Sequence, residues 1–505
     1  MVMNEAYWIA SSKGRRYEKL DRDIKVDYLV VGGGLAGVTC FYLLVSAGRE
    51  AVLVDADRIG YGCSGRNTGK ITVQHGLVYA ELESKFGLDR ARRYYEMNDK
   101  ALELVETLIA KFNIRCDFQR VPACVYTQDE GYAEKINKEY ETYQKMGLDC
   151  RLEKELPIPI KVKNALVLND QAQFNPKKYL DALAEETVKM GGTIYEDTRI
   201  VDFKPGERCI LKTGDNVTID AGCVIVATHF PCYDGMGFYF AKLKPMRTYA
   251  VMARYDKSFP ECHFINAEDP TRSLRYVHEA GALLIVGESH KVGHQDKDHY
   301  LELKKFGNEV FGIEDYQYQW SAQDYEPPHK IPFVGYLNKD MLNVFVATGF
   351  NKWGLSGGTA AGMVISRMIL DGHSPYEELY THTTLMDVAS STFVAENADV
   401  AVQLIGGKLQ SGDSELPASP GVGRVVNIGG KRCGYYKDEE GNEHIVDITC
   451  THMGCELKWN PLESSWDCPC HGSRFDYKGN VLEGPATLPL NRHNEEKNRI
   501  NPQIR

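Results

Sequence analysis

The chain has 505 residues, of which 43% are hydrophobic and 26% charged, a balance that fits a globular protein with two or three separate cores. Its net charge of −11 argues against a nucleic-acid partner, which would call for a basic face. No apolar run reaches the ~18 residues of a membrane span, and the N-terminal stretch MVMNEAYWIASSKGRRYEKLDRD lacks the apolar core of a signal peptide. Nine of the 14 cysteines lie scattered before residue 270 without a disulfide-like rhythm, which fits reduced thiols in a cytoplasmic protein.

In chain order, the first informative stretch is VDYLVVGGGLAG at residues 26–37. An apolar strand, Tyr28–Val31, runs into Gly32-x-Gly34-x-x-Gly37, and a helical pattern follows through Leu44. The glycines permit a tight turn and close backbone approach. The helix N-terminus, with Leu35 and Ala36, can receive a pyrophosphate. A second strand, Ala51–Val54, leads to Asp55 and Ala56, and an acid at this spacing can bond a ribose hydroxyl. A lone GxGxxG says little. Strand, helix, second strand and acid in this order point to a bound dinucleotide.

The next stretch, GYGCSGRNTGK at 60–70, decides which one. With Ser64, Arg66, Asn67, Thr68 and Gly69 it resembles the loop that wraps pyrophosphate and flavin in the D-amino-acid oxidase/glycine oxidase superfamily of FAD enzymes. His75 follows it and could touch the flavin ring. Residues 75–155 otherwise read as helical cover without chemistry. Asn175–Tyr179 opens a helix that runs to about Met190, and a strand follows at Arg199–Phe203, where the resemblance implies a backbone contact with adenine near Val201. VTIDAGCVIVAT at 217–228 is a buried strand ending at Ala227–Thr228, which in such flavoproteins closes the FAD sheet.

From Lys244 to Gly293, apolar/polar alternation in TYAVMARY and ALLIVGES predicts an antiparallel sheet. In the resembled family that sheet roofs the substrate site, and an arginine on it grips a substrate carboxylate. The register from Gly287 puts that position near Glu279 or Ala280, so an α-amino acid substrate is not implied. Arg275 or Arg272 could substitute. Arg275, His278 and His75 are the candidate catalytic residues. His290, His294 and His299, with Glu288 and Asp296, are of the residue types that hold a mononuclear iron, although histidines in a polar loop are ordinarily just solvated.

The second flavin signal is VFVATGFNKWGLSGGTAAGMVISRMIL at 344–370. A strand ends at Thr348. Gly349 and Gly354 shape a loop holding Lys352, and Gly357-Gly358, after Leu355, opens a small-residue helix. Backbone N–H groups there can stabilise negative charge on the flavin. The amphipathic stretch Leu385–Gln410 and the Ser/Gly/Pro run at 411–421 read as a linker. From Val422, short strands alternate with turns at Asn427–Gly430 and Asp438–Gly441, the pattern of a small all-β domain.

That last domain carries CTHMGCELKWNPLESSWDCPCHGSRFDY at 450–477. One cysteine and one histidine in each of two loops is the ligand set of a Rieske [2Fe–2S] centre: Cys450 and Cys468 on one iron, His452 and His471 on the other. A structural zinc site is the alternative for such a cluster. Cys455 and Cys470 remain, one per loop, where a disulfide between them would staple the loops. This extra pair resembles the Rieske proteins of quinol-oxidising respiratory complexes and differs from ring-hydroxylating oxygenases. The resemblance implies that Ser473 donates to a bridging sulfide. Where that family has a tyrosine bonded to a ligand sulfur, this chain has Phe475.

The expected architecture is an α/β FAD-binding domain, Rossmann-like and of the glutathione-reductase type, with an antiparallel β substrate domain (together residues 1–375), a linker with a helix (376–415) and an all-β Rieske domain (416–505). The expected activity is hydride transfer between a small organic substrate, such as an amine, and FAD, with single electrons exchanged through the cluster with an unknown acceptor or donor. That partner is a soluble carrier or a membrane protein docking reversibly. Two other readings stand beside it: an oxygenase with iron near His290 and His294, and a non-enzymatic electron carrier or redox sensor.

Overall fold

The computed structural model describes residues 2–235, 237–380, 419–428 and 430–493. The expected linker stretch Leu385–Gln410 lies outside these residues. Two large sheets build the first module. In one, the strands run in the order Phe333–Tyr336, Val344–Thr348, Thr218–Val226, Ile24–Val31, Ala51–Val54, Thr193–Tyr195. Its centre is parallel: Ile24–Val31 pairs in parallel with Thr218–Val226 on one side and Ala51–Val54 on the other. Helices cover it, so its strands read as apolar runs rather than alternations. The helix Leu35–Ser46 packs on the long helix Gly354–Asp371, and a Cβ at Gly362 would lie 2.8 Å from that of Thr39. This close approach explains the small-residue composition.

That second helix begins at Gly354, three residues earlier than the Gly357-Gly358 pair suggested. The pair sits inside the helix, where Gly358 lets the backbone of Ala36 approach.

The second sheet is mostly antiparallel and forms the roof: Tyr318–Glu326, Lys244–Arg254, Ala282–Lys291, Arg272–Val277, His263–Asn266, Gln119–Thr127, Asn164–Gln173, Lys70–Ile71. The strand Gln119–Thr127 corrects the helical reading of residues 75–155. It lies mid-sheet between Asn164–Gln173 and His263–Asn266. Pro122 hid it: proline breaks the ladder, and the register slips between Val121 and Ala123. The module also continues past residue 375, since Leu379 and Tyr380 of the turn Glu377–Tyr380 are buried in its main core.

The C-terminal domain has a three-stranded sheet (Gly423–Ile428, Lys431–Lys437, Glu443–Asp447) and a four-stranded one (Lys458–Asn460, Ser465–Asp467, Arg474–Asp476, Val481–Glu483). It docks on the roof sheet. No described helix is long and apolar enough to cross a membrane.

Candidate functional site

A cavity of about 410 Å³ runs between the two large sheets. Its floor holds Gly32, Gly34, Leu35, Ala36, Asp55 and Ala56, as expected for a dinucleotide. Gly32 adopts φ +113°, and a Cβ there would meet the Ala227 carbonyl at 2.4 Å. Gly37 does not line the cavity. A Cβ on it would sit 1.9 Å from the Gly32 carbonyl oxygen, so its absence is what lets helix and turn close together. The Asp55 carboxylate accepts from the Gly33 and Asp57 N–H groups at 2.5 and 2.8 Å, and burial pushes it up to about 6.

Ser64, Arg66, Asn67 and Thr68 line the same cavity. Their loop is pinned from outside by two indoles: Trp8 donates to the Asn67 carbonyl at 2.7 Å and Trp320 to that of Arg66 at 2.9 Å. Ser64 Oγ accepts from the Leu35 N–H at 3.0 Å, which ties the loop to the helix start. Ala227, Thr228, Lys352, Gly354 and Leu355 complete the wall, while Gly69, Gly349 and Gly357 do not line it. Near the expected adenine contact the wall comes from Thr198, Arg199 and Ile200, the residues just before Val201. The close glycine turns and the terminal acid fit an extended dinucleotide.

The three candidate catalytic residues stand outside the cavity. Arg275 is buried beneath it, where its guanidinium donates to the carbonyls of Thr68 at 2.8 Å and Phe174 at 3.1 Å and lies over the Trp8 ring. Through Nη1 it holds the loop, and it does not line the cavity. His278 is half-exposed on a surface turn, 3.8 Å from Glu261. His75 is buried behind the wall: Nδ1 pairs with Tyr94 Oη at 2.8 Å, Nε2 with Ser356 Oγ at 2.9 Å, and the ring stacks on Trp353. Burial pushes it down to about 3, so it is a neutral strut.

The alternative iron site gains no support from the geometry. His290 and His299 stack face to face at 4.3 Å, which points their nitrogens along parallel planes instead of at one ion. Glu288 is taken by Arg272 and by Lys297 at 2.7 Å. Lys70 and His263, which the sequence reading passed over, do line the cavity from the roof. Nothing local marks them, because they come from two separate strands of the roof sheet, about 190 residues apart in the chain.

In the C-terminal domain, Cys450 and His452 follow the strand Glu443–Asp447, and Cys468–His471 joins two strands of the four-stranded sheet. Cys455 and Cys470 form a disulfide with Cα atoms 6.6 Å apart, which joins the two loops. The Cys450 thiol is held down at about 7 by its hydrogen bond with Cys468, and that sharing raises Cys468. The His452 and His471 rings lie 5.1 Å apart, and the Nδ1 atom of each is buried without a partner. Burial lowers both imidazoles, so they are neutral donors. Two adjacent thiols and two orphaned imidazole nitrogens fit a Rieske cluster. Ser473 Oγ accepts from the Ala486 N–H at 3.0 Å, which leaves its proton to donate. Phe475 is fully buried in the core that holds both cysteines.

The cluster loops face the first module. The His452 ring meets Phe230 at 6.1 Å and the His471 ring meets Phe240 at 5.8 Å, and Phe230 also lines the cavity. Gln323 donates to the Gly472 carbonyl at 2.8 Å, and Tyr325 Oη to that of Gly484 at 3.0 Å. Leu482–Thr487 forms part of the cavity wall. A buried ionic knot fastens the contact: Arg247 of the roof pairs with Glu463 at 3.1 Å and Glu483 at 2.8 Å, and Arg474 joins the same acids and Asp467.

Comparison with known proteins agrees with this division. The family model described as FAD dependent oxidoreductase matches residues 27–368, and the Rieske [2Fe-2S] domain model matches 411–494. The Rieske 2Fe-2S iron-sulfur protein YhfW of Bacillus subtilis is 40% identical over 493 residues, covering 96% of this chain and 97% of its own. Gamma-glutamylputrescine oxidoreductase of Escherichia coli is 26% identical over 229 residues, 44% of this chain and 53% of its own. Glycine oxidase from Geobacillus kaustophilus superposes with a TM-score of 0.61 at 16% identity, over 71% of this chain and 99% of that one, a likeness of fold.

Proposed function

We propose a function on the premise that this chain belongs to the family of FAD-dependent oxidoreductases and carries a Rieske [2Fe–2S] domain. It is a dehydrogenase of a small organic substrate, an amine in the first instance, whose electrons leave singly to an acceptor. Bound FAD would supply hydride chemistry and the cluster one-electron chemistry. Gly32, Gly34 and Asp55 with the Ser64–Thr68 loop would hold the dinucleotide. Cys450, Cys468, His452 and His471 would hold the iron.

The observation that carries the reading is the placement of the Rieske domain. Its segment Leu482–Thr487 walls the flavin cavity, and its two histidines are covered by Phe230 and Phe240 of the flavin module instead of standing free. Phe230 thus lies at both sites. A simple oxidase needs no such domain, because reduced flavin reacts directly with oxygen. The E. coli relative's name refers to an amine, which supports that substrate class.

The test is anaerobic rapid mixing of the holoprotein with a panel of amines. Flavin bleaching should precede cluster bleaching within the same molecule. Cys468→Ser should keep the first phase and lose the second. Peroxide formation in air that is fast and unchanged by that substitution would remove the cluster from the electron path.

A further inference from the structure

The cavity roof carries a cation without a counter-ion. Lys70 is 9% exposed and its Nζ donates to Ser273 Oγ and, at 3.3 Å, to the Phe264 carbonyl. Both acceptors are neutral, and among the described residues no carboxylate forms an ion pair with it. Lys352, the other lysine of the wall, is neutralised by Glu326 at 3.0 Å. An ammonium taken out of water without an opposite charge is costly and calls for a partner.

Beside it stands His263. It is 3% exposed, lines the same wall, and neither ring nitrogen has a hydrogen-bond partner among the described residues. The register sets His263 near Ser273. His263 and Ile265 share a face of their strand, and Ile265 lies opposite Ser273. Buried imidazoles are ordinarily bonded at least once, so a cavity-lining histidine with two idle nitrogens points to a ligand. The electrostatics agree. Burial and the Arg275 guanidinium lower Lys70 to about 7, and burial with both cations pushes His263 well down. The groups acting on Lys70 are thus Arg275 and His263, both basic, the Ser273 hydroxyl, and the thiol of Cys262.

We infer that Lys70, Ser273 and His263 form the substrate-recognition subsite and that the substrate bears an anionic group, carboxylate or phosphate, paired with Lys70. This rests on reading the cavity as the flavin and substrate site. His263, neutral, donates from one nitrogen and accepts at the other, so it bonds a polar atom next to the anion. Lys70 comes from the strand after the flavin loop, so recognition here does not depend on an arginine of the roof. Since the free lysine is lowered, binding an anion draws a proton onto it.

The test uses the oxidised, full-length holoprotein without turnover. Acetate, propionate and inorganic phosphate are titrated against acetamide and propionamide, followed by flavin difference absorbance and calorimetry in buffers of different ionisation enthalpy. The anions should bind at least ~10-fold more tightly than the amides. They should weaken as pH rises above about 7, with proton uptake. Lys70→Met should weaken anions by at least ~10-fold, and Lys70→Arg should restore most of that. Carboxylates ahead of phosphate identify an acid substrate, and the reverse order a phosphorylated one. Amides that bind the wild type as tightly as acids overturn the inference without any variant, as does an unchanged anion affinity in Lys70→Met. Binding without later cluster reduction would overturn only the electron-transfer reading, and cluster reduction without anion preference only this one.

Discussion

Glu483→Gln isolates the ionic knot that holds the Rieske domain to the roof. The glutamate carboxylate pairs with Arg247 at 2.8 Å and with Arg474 at 3.4 Å, and its side chain is 22% exposed. Burial alone would raise it, but the two guanidinium groups win and hold it at about 2, against an ordinary 4.5. That difference corresponds to roughly 3 kcal/mol, in line with the ~3–5 kcal/mol lost when one partner of a buried pair is removed. Glutamine keeps the shape and removes the charge. For a domain of this size, 1 kcal/mol moves Tm by ~4–8 °C, so the cluster-bleaching transition should fall by roughly 12–24 °C at pH 7. Flavin release, followed in the same scan, should move less.

The pH dependence sharpens the test. A carboxylate lowered in the folded state contributes fully above its unfolded value and loses that contribution as pH falls towards its folded value. The gap between wild type and Glu483→Gln should therefore hold from neutral pH to about 5 and narrow below 4.5, on the way to about 2. A variant whose cluster transition stays within ~3 °C of wild type at pH 7 would refute the reasoning, as would a gap that widens in acid.

Phe475→Tyr should raise the cluster's reduction potential, because a hydroxyl that reaches a ligand sulfur stabilises the reduced, more negative form; voltammetry of the full chain checks this, and an unchanged or lower potential counts against it. Arg275→Met should lower FAD affinity by about tenfold or more, through loss of the charged donor to Thr68 and Phe174, while the KM for any substrate found stays within about threefold. The opposite pattern would return Arg275 to substrate binding.

What was legible in the sequence is what the chain keeps local. Gly32 to Gly37 must be adjacent to make one turn, and Cys450, His452, Cys468 and His471 must sit in two short loops to reach one cluster. Those motifs also located both modules. The candidate catalytic residues beyond them do not line the cavity. Arg275 and His75 carried the right chemistry for a substrate site, but burial turned one onto two carbonyls and the other into a wall support. Lys70 meets Ser273 although their strands stand at separate places in the roof sheet and about 200 residues apart in the chain. The knot of Arg247, Glu463 and Glu483 is likewise assembled from both modules, and no spacing rule announces it. Pro122 disguised a central strand because its cost is absorbed at a register slip, which a linear pattern does not show.

The wall formed by Leu482–Thr487 has a consequence for biosynthesis. Translation delivers Gly32 early and Glu483 late, and domains fold in the order they emerge. A nascent chain that has closed both large sheets still has a cavity open on one side. Flavin can enter through that gap, and the C-terminal domain then shuts it in. Cofactor entry and docking of the last domain are thereby coupled, because the segment that completes the wall is among the last to leave the ribosome.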